Sequence, residues 1–187
     1  FEAAESLRIR AMVLVYLVLD QPQFTAYDAH YLPGLETQMT RLSEPKNYRD
    51  GPDPKDTTVL CAEIPCWPHD EIWSMPDEQL GEMVLNDIER LGLPKPQHVQ
   101  TEVRRLPSVY PIFEKSTNEK RAELLKWGNS LEGLSTFGRQ GLAVPDNLHH
   151  TLIMGWEAAA SLDDDGHLNQ TNWKESLKGF ESHVVED

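Results

Sequence analysis

No strand in this sequence is followed by a Gly-x-Gly-x-x-Gly segment, so the chain carries no dinucleotide-binding fingerprint of its own. No Gly-x-Ser-x-Gly elbow surrounds any serine, and nucleophilic catalysis therefore has no positive local sign. There are only two cysteines, Cys61 and Cys66. Without a second pair they do not complete a zinc site, and reduced thiols in a cytoplasmic protein are the simplest reading. Basic residues are few, 17 against 31 acidic ones, for a net charge of -14. No Lys/Arg cluster is large enough to overcome the repulsion from phosphate backbones, so nucleic acid is not expected as a partner. Long apolar runs are missing too. Residues 11–19, preceded by Arg8 and Arg10, look superficially like the hydrophobic part of a signal peptide. The run is too short to span a membrane, and no small-residue cleavage site follows it. Val13, Val15, Tyr16 and Val18 instead favour a buried strand.

What is present is ordinary globular material: 187 residues, 39% hydrophobic and 26% charged, enough for one domain with a sizeable core. Phe1 is not an initiator methionine, so the chain is expected to be a processed product or a piece of something longer. Near-continuous apolar character over residues 7–19 predicts a central strand covered on both faces. Residues 28–32 and 39–42, separated by Pro33 and Gly34, predict an antiparallel meander, and residues 57–64 return as a strand after a charged, proline-rich loop over 43–56. Ser74 and Pro76 signal a helix start, and Leu80, Met83, Val84, Ile88 and Leu91 give that helix its apolar face. Val99, Thr101 and Val103 alternate as a further strand, while residues 106–113, with two prolines, should be an extended but irregular connector. Ser116 and Glu119 match a capping box before a helix carrying Leu124, Leu125 and Leu131. Trp173, Leu177, Phe180 and Val184 would lie on one side of a final helix.

The most informative stretch is residues 131–162. Leu134, Thr136 and Phe137 read as the end of a buried strand, and Gly138, Gly141 and Pro145 then force a turn. Asp146 or Asn147 supplies the cap of a helix starting near Leu148, with Leu148, Leu152, Trp156 and Ala159 on one of its faces and Gly155 and Ala158 to Ala160 keeping another slim. A glycine turn delivered to a helix N-terminus offers unpaired N–H groups and a positive dipole end, which suits an anionic or electron-rich ligand.

Other candidate chemistry is thinner. His149 and His150 are adjacent, so on a helix their side chains diverge by about a hundred degrees and do not readily share a metal. Hydrogen bonding at the helix start is the better reading for them, and no metal site is expected. Glu63, Glu44 and Asp20 could pair as carboxylates, but acids are so abundant that solvated surface is the simpler expectation. Asp163, Asp164, Asp165 and Gly166 form a turn that lacks the further ligands of a calcium loop.

Several segments together carry a resemblance: RAMVLVYLVLDQPQFTAYDAHYLP, RLSEPKNYRDGP, TTVLCAEIPC, LPSVYPIF and above all LSTFGRQGLAVPDNLHHTLIMGWEAAASL. Nearly the whole chain resembles the C-terminal half of FAD-dependent oxidoreductases of the amine oxidase and protoporphyrinogen oxidase superfamily, relatives of which include phytoene desaturase and UDP-galactopyranose mutase. Ala143-Val144-Pro145 departs from the family pattern, in which an aromatic and a histidine precede the Asp-Asn pair.

The resemblance implies an α+β fold: an antiparallel substrate-domain sheet with packed helices, then the C-terminal strand, turn and helix of an FAD-binding domain. Its divisions would be 1–106 for the substrate-domain sheet and helix, 107–130 for the connector and helix, and 131–187 for the FAD-contacting part. Gly138 and Arg139 would lie beside the flavin's phosphate and ribityl region. Asp146, Asn147, Leu148 and His149 would face the N1 and C2 carbonyl edge of its ring. Tyr16, His30, Tyr31, Arg41 and Tyr110 would contact a small-molecule substrate, a small amine or a related electron-rich compound. The missing N-terminal FAD-binding half would be the partner, and without it the chain would neither keep FAD nor turn over. Apolar surface left open by that half could pair two copies of the chain as a homodimer. The rival expectations are a non-catalytic binding module with the same fold and a metal-dependent hydrolase using His149 and His150.

Overall fold

The computed structural model describes residues 2–131, 133–180, 182, 183 and 185. It has mixed helices and one five-stranded antiparallel sheet, an α+β fold. The chain divides into two compact units, Arg10–Val109 and Phe1–Ile9 with Tyr110–Asp187.

In chain order the elements begin with α1 (Glu2–Ser6), β1 (Ile9–Leu19), β2 (Ala29–Tyr31), β3 (Arg41–Ser43) and β4 (Thr58–Cys66). They continue with α2 (Glu71–Ser74), α3 (Asp77–Arg90), β5 (His98–Pro111), α4 (Thr117–Gly128), α5 (Gly138–Leu142), α6 (Leu148–Ala160) and α7 (Gln170–Phe180). The sheet order is β2-β3-β4-β1-β5, with β1 central among its longest strands. Successive side chains on a strand point to opposite faces. Val13, Val15, Leu17 and Leu19 therefore meet Ile64, Ala62 and Leu60 of β4 on one face, against Leu80, Val84 and Ile88 of α3.

Gly81 lies where α3 meets β5, and a Cβ there would collide with Thr101 Oγ1 and stand 3.0 Å from its Cγ2. Its missing side chain is what lets the helix approach the strand. Gly81→Val is expected to destabilise the protein by about 1–3 kcal/mol in a urea titration, with Thr101→Ala restoring part of the loss.

The loop expected over residues 43–56 is organised by two charged groups. Lys46 Nζ donates to the carbonyl oxygens of Pro22 at 2.9 Å, Pro54 at 2.7 Å, Thr57 at 3.0 Å and Lys55 at 3.4 Å. Glu44 is 2% exposed. Its carboxylate accepts from Phe24 N–H at 2.9 Å, Thr25 N–H at 3.1 Å, Thr58 Oγ1 at 2.7 Å and Asn47 Nδ2 at 3.1 Å. The solvated-surface expectation is thus corrected for Glu44, and for Glu63, which is half-buried against Arg41; of the three acids only Asp20 is exposed.

Three local expectations also change. The connector over 106–113 continues as regular strand through Pro111, as part of β5, which is hydrogen-bonded to β1 in the sheet. Ser74 does not cap α3; its Oγ donates to Glu71 O at 3.1 Å, and Pro76 takes the cap position. Ser116 makes no side-chain cap for α4, where Thr117 Oγ1 instead accepts from Glu114 N–H at 2.8 Å.

The second unit has its own core of Leu142, Val144, Met154, Ala158, Trp173 and Phe180. Residues 134–137, expected as a strand, are not one. A strand requires a hydrogen-bonded neighbour, and among the described residues none runs beside them. Trp173 and Phe180 are buried on α7 and Leu177 packs against the same core; Val184 lies outside the described residues. No helix among the described residues is long and apolar enough to cross a membrane.

Candidate functional site

The turn into α6 brings several sequence-selected residues together. Gly138 has φ +80°, a conformation that glycine adopts freely, and a Cβ there would meet nothing within 4 Å. The one-turn helix α5 then ends at Ala143, in the left-handed region with φ 50°. Arg139 reaches across this turn: its Nε donates to Asp146 Oδ1 at 3.1 Å and its Nη2 to the Asp146 carbonyl oxygen. The guanidinium carbon also stands 5.0 Å from the centre of the Tyr110 ring, a cation–π contact. The Asp146 side chain is 0% exposed. Its second oxygen, Oδ2, is buried with no hydrogen-bond partner among the described residues.

Asn147, not Asp146, is the cap of α6. It forms a capping box with His150: the Asn147 side chain accepts from the His150 N–H, and the Asn147 N–H donates to His150 Nδ1 at 3.1 Å. The first-turn N–H groups of Leu148 and His149 have no intrahelical acceptor, as at any helix start. The His149 and His150 rings are 4.0 Å apart, and among the described residues no group of three or more His, Cys, Asp or Glu could hold a metal ion.

The side of this helix that packs is not the one carrying its large apolar residues. Leu148 and Trp156 are each 77% exposed and Leu152 is 66% exposed, while Met154 and Ala158 face the core. Alanines and leucines surround much of this helix, and the side that packs is the one Trp173 and Phe180 of α7 can reach.

The proposed substrate residues separate into three places. Strand register pairs Tyr31 with Arg41, Arg41 with Glu63, and Tyr16 with Cys61. The Glu63 and Cys61 rows are two residues apart, so Tyr16, Tyr31 and Arg41 share the sheet face opposite the α3 core. His30 pairs with Leu42 and points to the core face. There it packs edge-on against Phe24 and Tyr27, with Nε2 3.0 Å from Thr25 Oγ1. Tyr110 belongs to the other compact unit, against Arg139.

Cys61 and Glu63 join this outer face without having been selected as substrate contacts. Period-two alternation along residues 58–66 was the available signal, once paired with that of β1. Burial, and then the charge of Glu63, push the Cys61 thiol up to about 11, so it is not a thiolate at neutral pH. Tyr16 is also raised, first by burial and then by Cys61. For Arg41, burial acts to lower the value, but the Glu63 hydrogen bond and charge, with help from Tyr31, outweigh it and the group is held firmly cationic.

Two solved structures share this architecture. Reduced UDP-galactopyranose mutase matches with a TM-score of 0.61 at 16% identity, over 75% of this chain and 30% of that one. A protein from Exiguobacterium sp. 255-15, described as a protoporphyrinogen oxidase, matches with a TM-score of 0.53 at 21% identity, over 65% of this chain and 28% of that one. This chain therefore corresponds to less than a third of either protein. No family model matches the sequence, and no curated protein does. At these identities the likeness establishes the fold.

Proposed function

We propose that this chain is the C-terminal portion of a flavin-dependent oxidoreductase of the amine oxidase type, acting on a small amine or a related electron-rich substrate. The observation that carries the reading is the start of α6. There a buried carboxylate oxygen of Asp146 has no hydrogen-bond partner among the described residues, and Gly138, the residue before the arginine that pairs with Asp146, has open space at its Cβ position. That start is built into a fold shared with UDP-galactopyranose mutase. When bound, FAD supplies a hydride acceptor. The residues of this chain would fit it in distinct ways. Gly138 admits close approach of the phosphate and ribityl part. The N–H groups of Leu148 and His149, with the helix dipole, stabilise negative charge gathering at the N1 and C2 edge. Arg139 neutralises Asp146, so the carboxylate does not oppose that charge. Tyr16, Tyr31 and Arg41 offer a polar substrate face, and Tyr110 a contact beside Arg139.

On this reading residues 1–106 supply the substrate-domain sheet, 107–130 the connector and 131–187 the flavin-contacting part. The exposed Leu148, Leu152 and Trp156 face is covered by the N-terminal FAD-binding half. Flavin occupancy tests the proposal. The 187 residues alone are expected to purify colourless, and the same residues joined to an upstream Gly-x-Gly-x-x-Gly region are expected to purify yellow. Gly138→Val should then lower flavin occupancy, because its φ of +80° strains any β-branched residue and the added methyls fill the open space. A yellow preparation of the chain alone would overturn its dependence on the other half. Unchanged occupancy in the Gly138 variant would overturn the placement of the site.

A further inference from the structure

We infer that the outer edge of β5 is a self-pairing surface, on which a second copy of this chain docks antiparallel about a two-fold axis at Val103. β5 ends the sheet, and among the described residues no strand lies on its far side. Such an edge leaves a row of backbone N–H and C=O groups open to another chain. Three observations say which row it is. The Val103 carbonyl oxygen accepts from Arg104 Nη1 at 2.9 Å, as a carbonyl turned away from β1 can. Pro107 shares the odd-numbered row, and a proline within a sheet sits where no neighbouring strand needs its donor. On the even-numbered row, Ile112 N–H donates to Arg8 O, just ahead of β1, at 2.8 Å. Thr101, Val103 and Arg105 therefore turn their N–H and C=O groups outward. This regular row begins after Gln97, whose carbonyl still accepts from Asp20 N–H at 2.8 Å, and it ends before Pro107.

Charge selects both the occupant and the register. In a chain with 31 acidic and 17 basic residues, residues 98–109 carry one acid, Glu102, and two arginines, Arg104 and Arg105. The strip is thus spared the repulsion that two copies of a chain of net charge -14 feel elsewhere. Glu102 and Arg104 flank Val103 on the face opposite the α3 core, both exposed, and meet each other only at 3.7 Å. Antiparallel pairing of Val103 with its own copy sets Glu102 directly opposite the partner's Arg104, and Arg104 opposite the partner's Glu102. These are non-hydrogen-bonded positions, where side chains on neighbouring strands stand closest. Gln100 Nε2 donates to one Glu102 oxygen at 2.8 Å and leaves the other for the guanidinium. Arg105 is already held on the core face by Trp73 O at 2.8 Å, Met75 O at 2.6 Å and Asp77 Oδ1 at 2.8 Å, so it supplies backbone only. Neighbouring registers are worse. Centring on Glu102 sets carboxylate against carboxylate, and centring on Arg104 sets guanidinium against guanidinium. Centring on Arg105 puts the donorless Pro107 against Val103, and centring on Thr101 leaves the charges unmatched.

The contact is isologous, so it closes at two copies and does not propagate. It needs no flavin and does not use the exposed face of α6, so its failure and that of the flavin reading are separate results.

The test is sedimentation velocity of the 187-residue chain over a wide range of concentration, with the charges exchanged by mutation. A reversible dimer with a dissociation constant of about 100 µM is expected, as suits a small interface. Glu102→Arg and Arg104→Glu each put like charges at both pairs and should weaken the dimer about tenfold or more. Mixed together, the two variants face arginine to glutamate across the strands and should associate again. The double variant Glu102→Arg/Arg104→Glu should do the same alone. Both side chains are exposed, so these exchanges leave the core untouched. Hydrogen exchange gives an independent reading on the wild type: the Thr101, Val103 and Arg105 amides should gain protection as concentration rises. A monomer at every concentration would overturn the inference and leave the edge to a strand from outside these residues. A dimer that ignores the charge exchanges but is lost in Trp156→Glu would overturn it in favour of the α6 face.

Discussion

Glu44→Ala is expected to cost this protein about 3–5 kcal/mol of unfolding free energy, read from denaturant titration followed by circular dichroism. The side chain is among the most deeply buried polar groups, and its carboxylate gathers four donors from three parts of the chain. Alanine would leave the N–H groups of Phe24 and Thr25, the Thr58 hydroxyl and one Asn47 donor without their acceptor in a site from which water is excluded. Each such group carries a desolvation cost of about 1–3 kcal/mol, partly relieved by rearrangement. Glu44→Gln should fall between, because it keeps one carbonyl acceptor but turns an amide toward other donors. A loss below about 1 kcal/mol for Glu44→Ala would show that the loop relaxes to let water in, and that the network is not what fixes it to the sheet.

Trp173→Ala is the second large effect, and it should act on the other unit. Trp173 is fully buried among Leu142, Val144, Met154, Ala158 and Phe180, and meets Phe137 edge-on at 6.4 Å between ring centres. Removing a buried indole costs about 3–5 kcal/mol through lost transfer energy and the cavity left behind. The core it anchors is small, so that loss should strip amide protection from α5, α6 and α7. The sheet core around Val13, Val15 and Leu17 is a separate cluster and should keep its protection. Uniform loss across both clusters in hydrogen exchange would mean that they unfold as one cooperative unit.

Much of this fold was legible in the sequence because it depends on local periodicity. The apolar run over residues 11–19 became β1, and the spacing of Leu80, Val84 and Ile88 became the buried face of α3. The helix start at Leu148 followed from the proline and the capping pair before it. The family resemblance reached further and anticipated the architecture that UDP-galactopyranose mutase shares. Its quoted motifs also selected Gly138, Arg139 and Asp146, which the structure does bring to one turn.

The failures have a common origin. His30 and Tyr31 are neighbours in sequence, yet the pleat sends them to opposite faces, and only the pairing of β2 with β3 says which face is the core. Residues 134–137 have strand-like composition, but a strand is defined by its neighbour. The loop over 43–56 was rightly polar, but polarity does not reveal that Glu44 points inward to collect donors from distant residues.

The helix at 148–160 draws the line most clearly. Its existence, its first residue and its capping box were written in a few consecutive residues, because a helix closes its hydrogen bonds four residues apart. Its orientation was not, because leucine, tryptophan and alanine occupy more than one side and the 3.6-residue period fits more than one packing direction. Burial belongs to whichever side finds a partner. Within this chain α7 supplies one to Met154 and Ala158, and Leu148, Leu152 and Trp156 are left to the solvent.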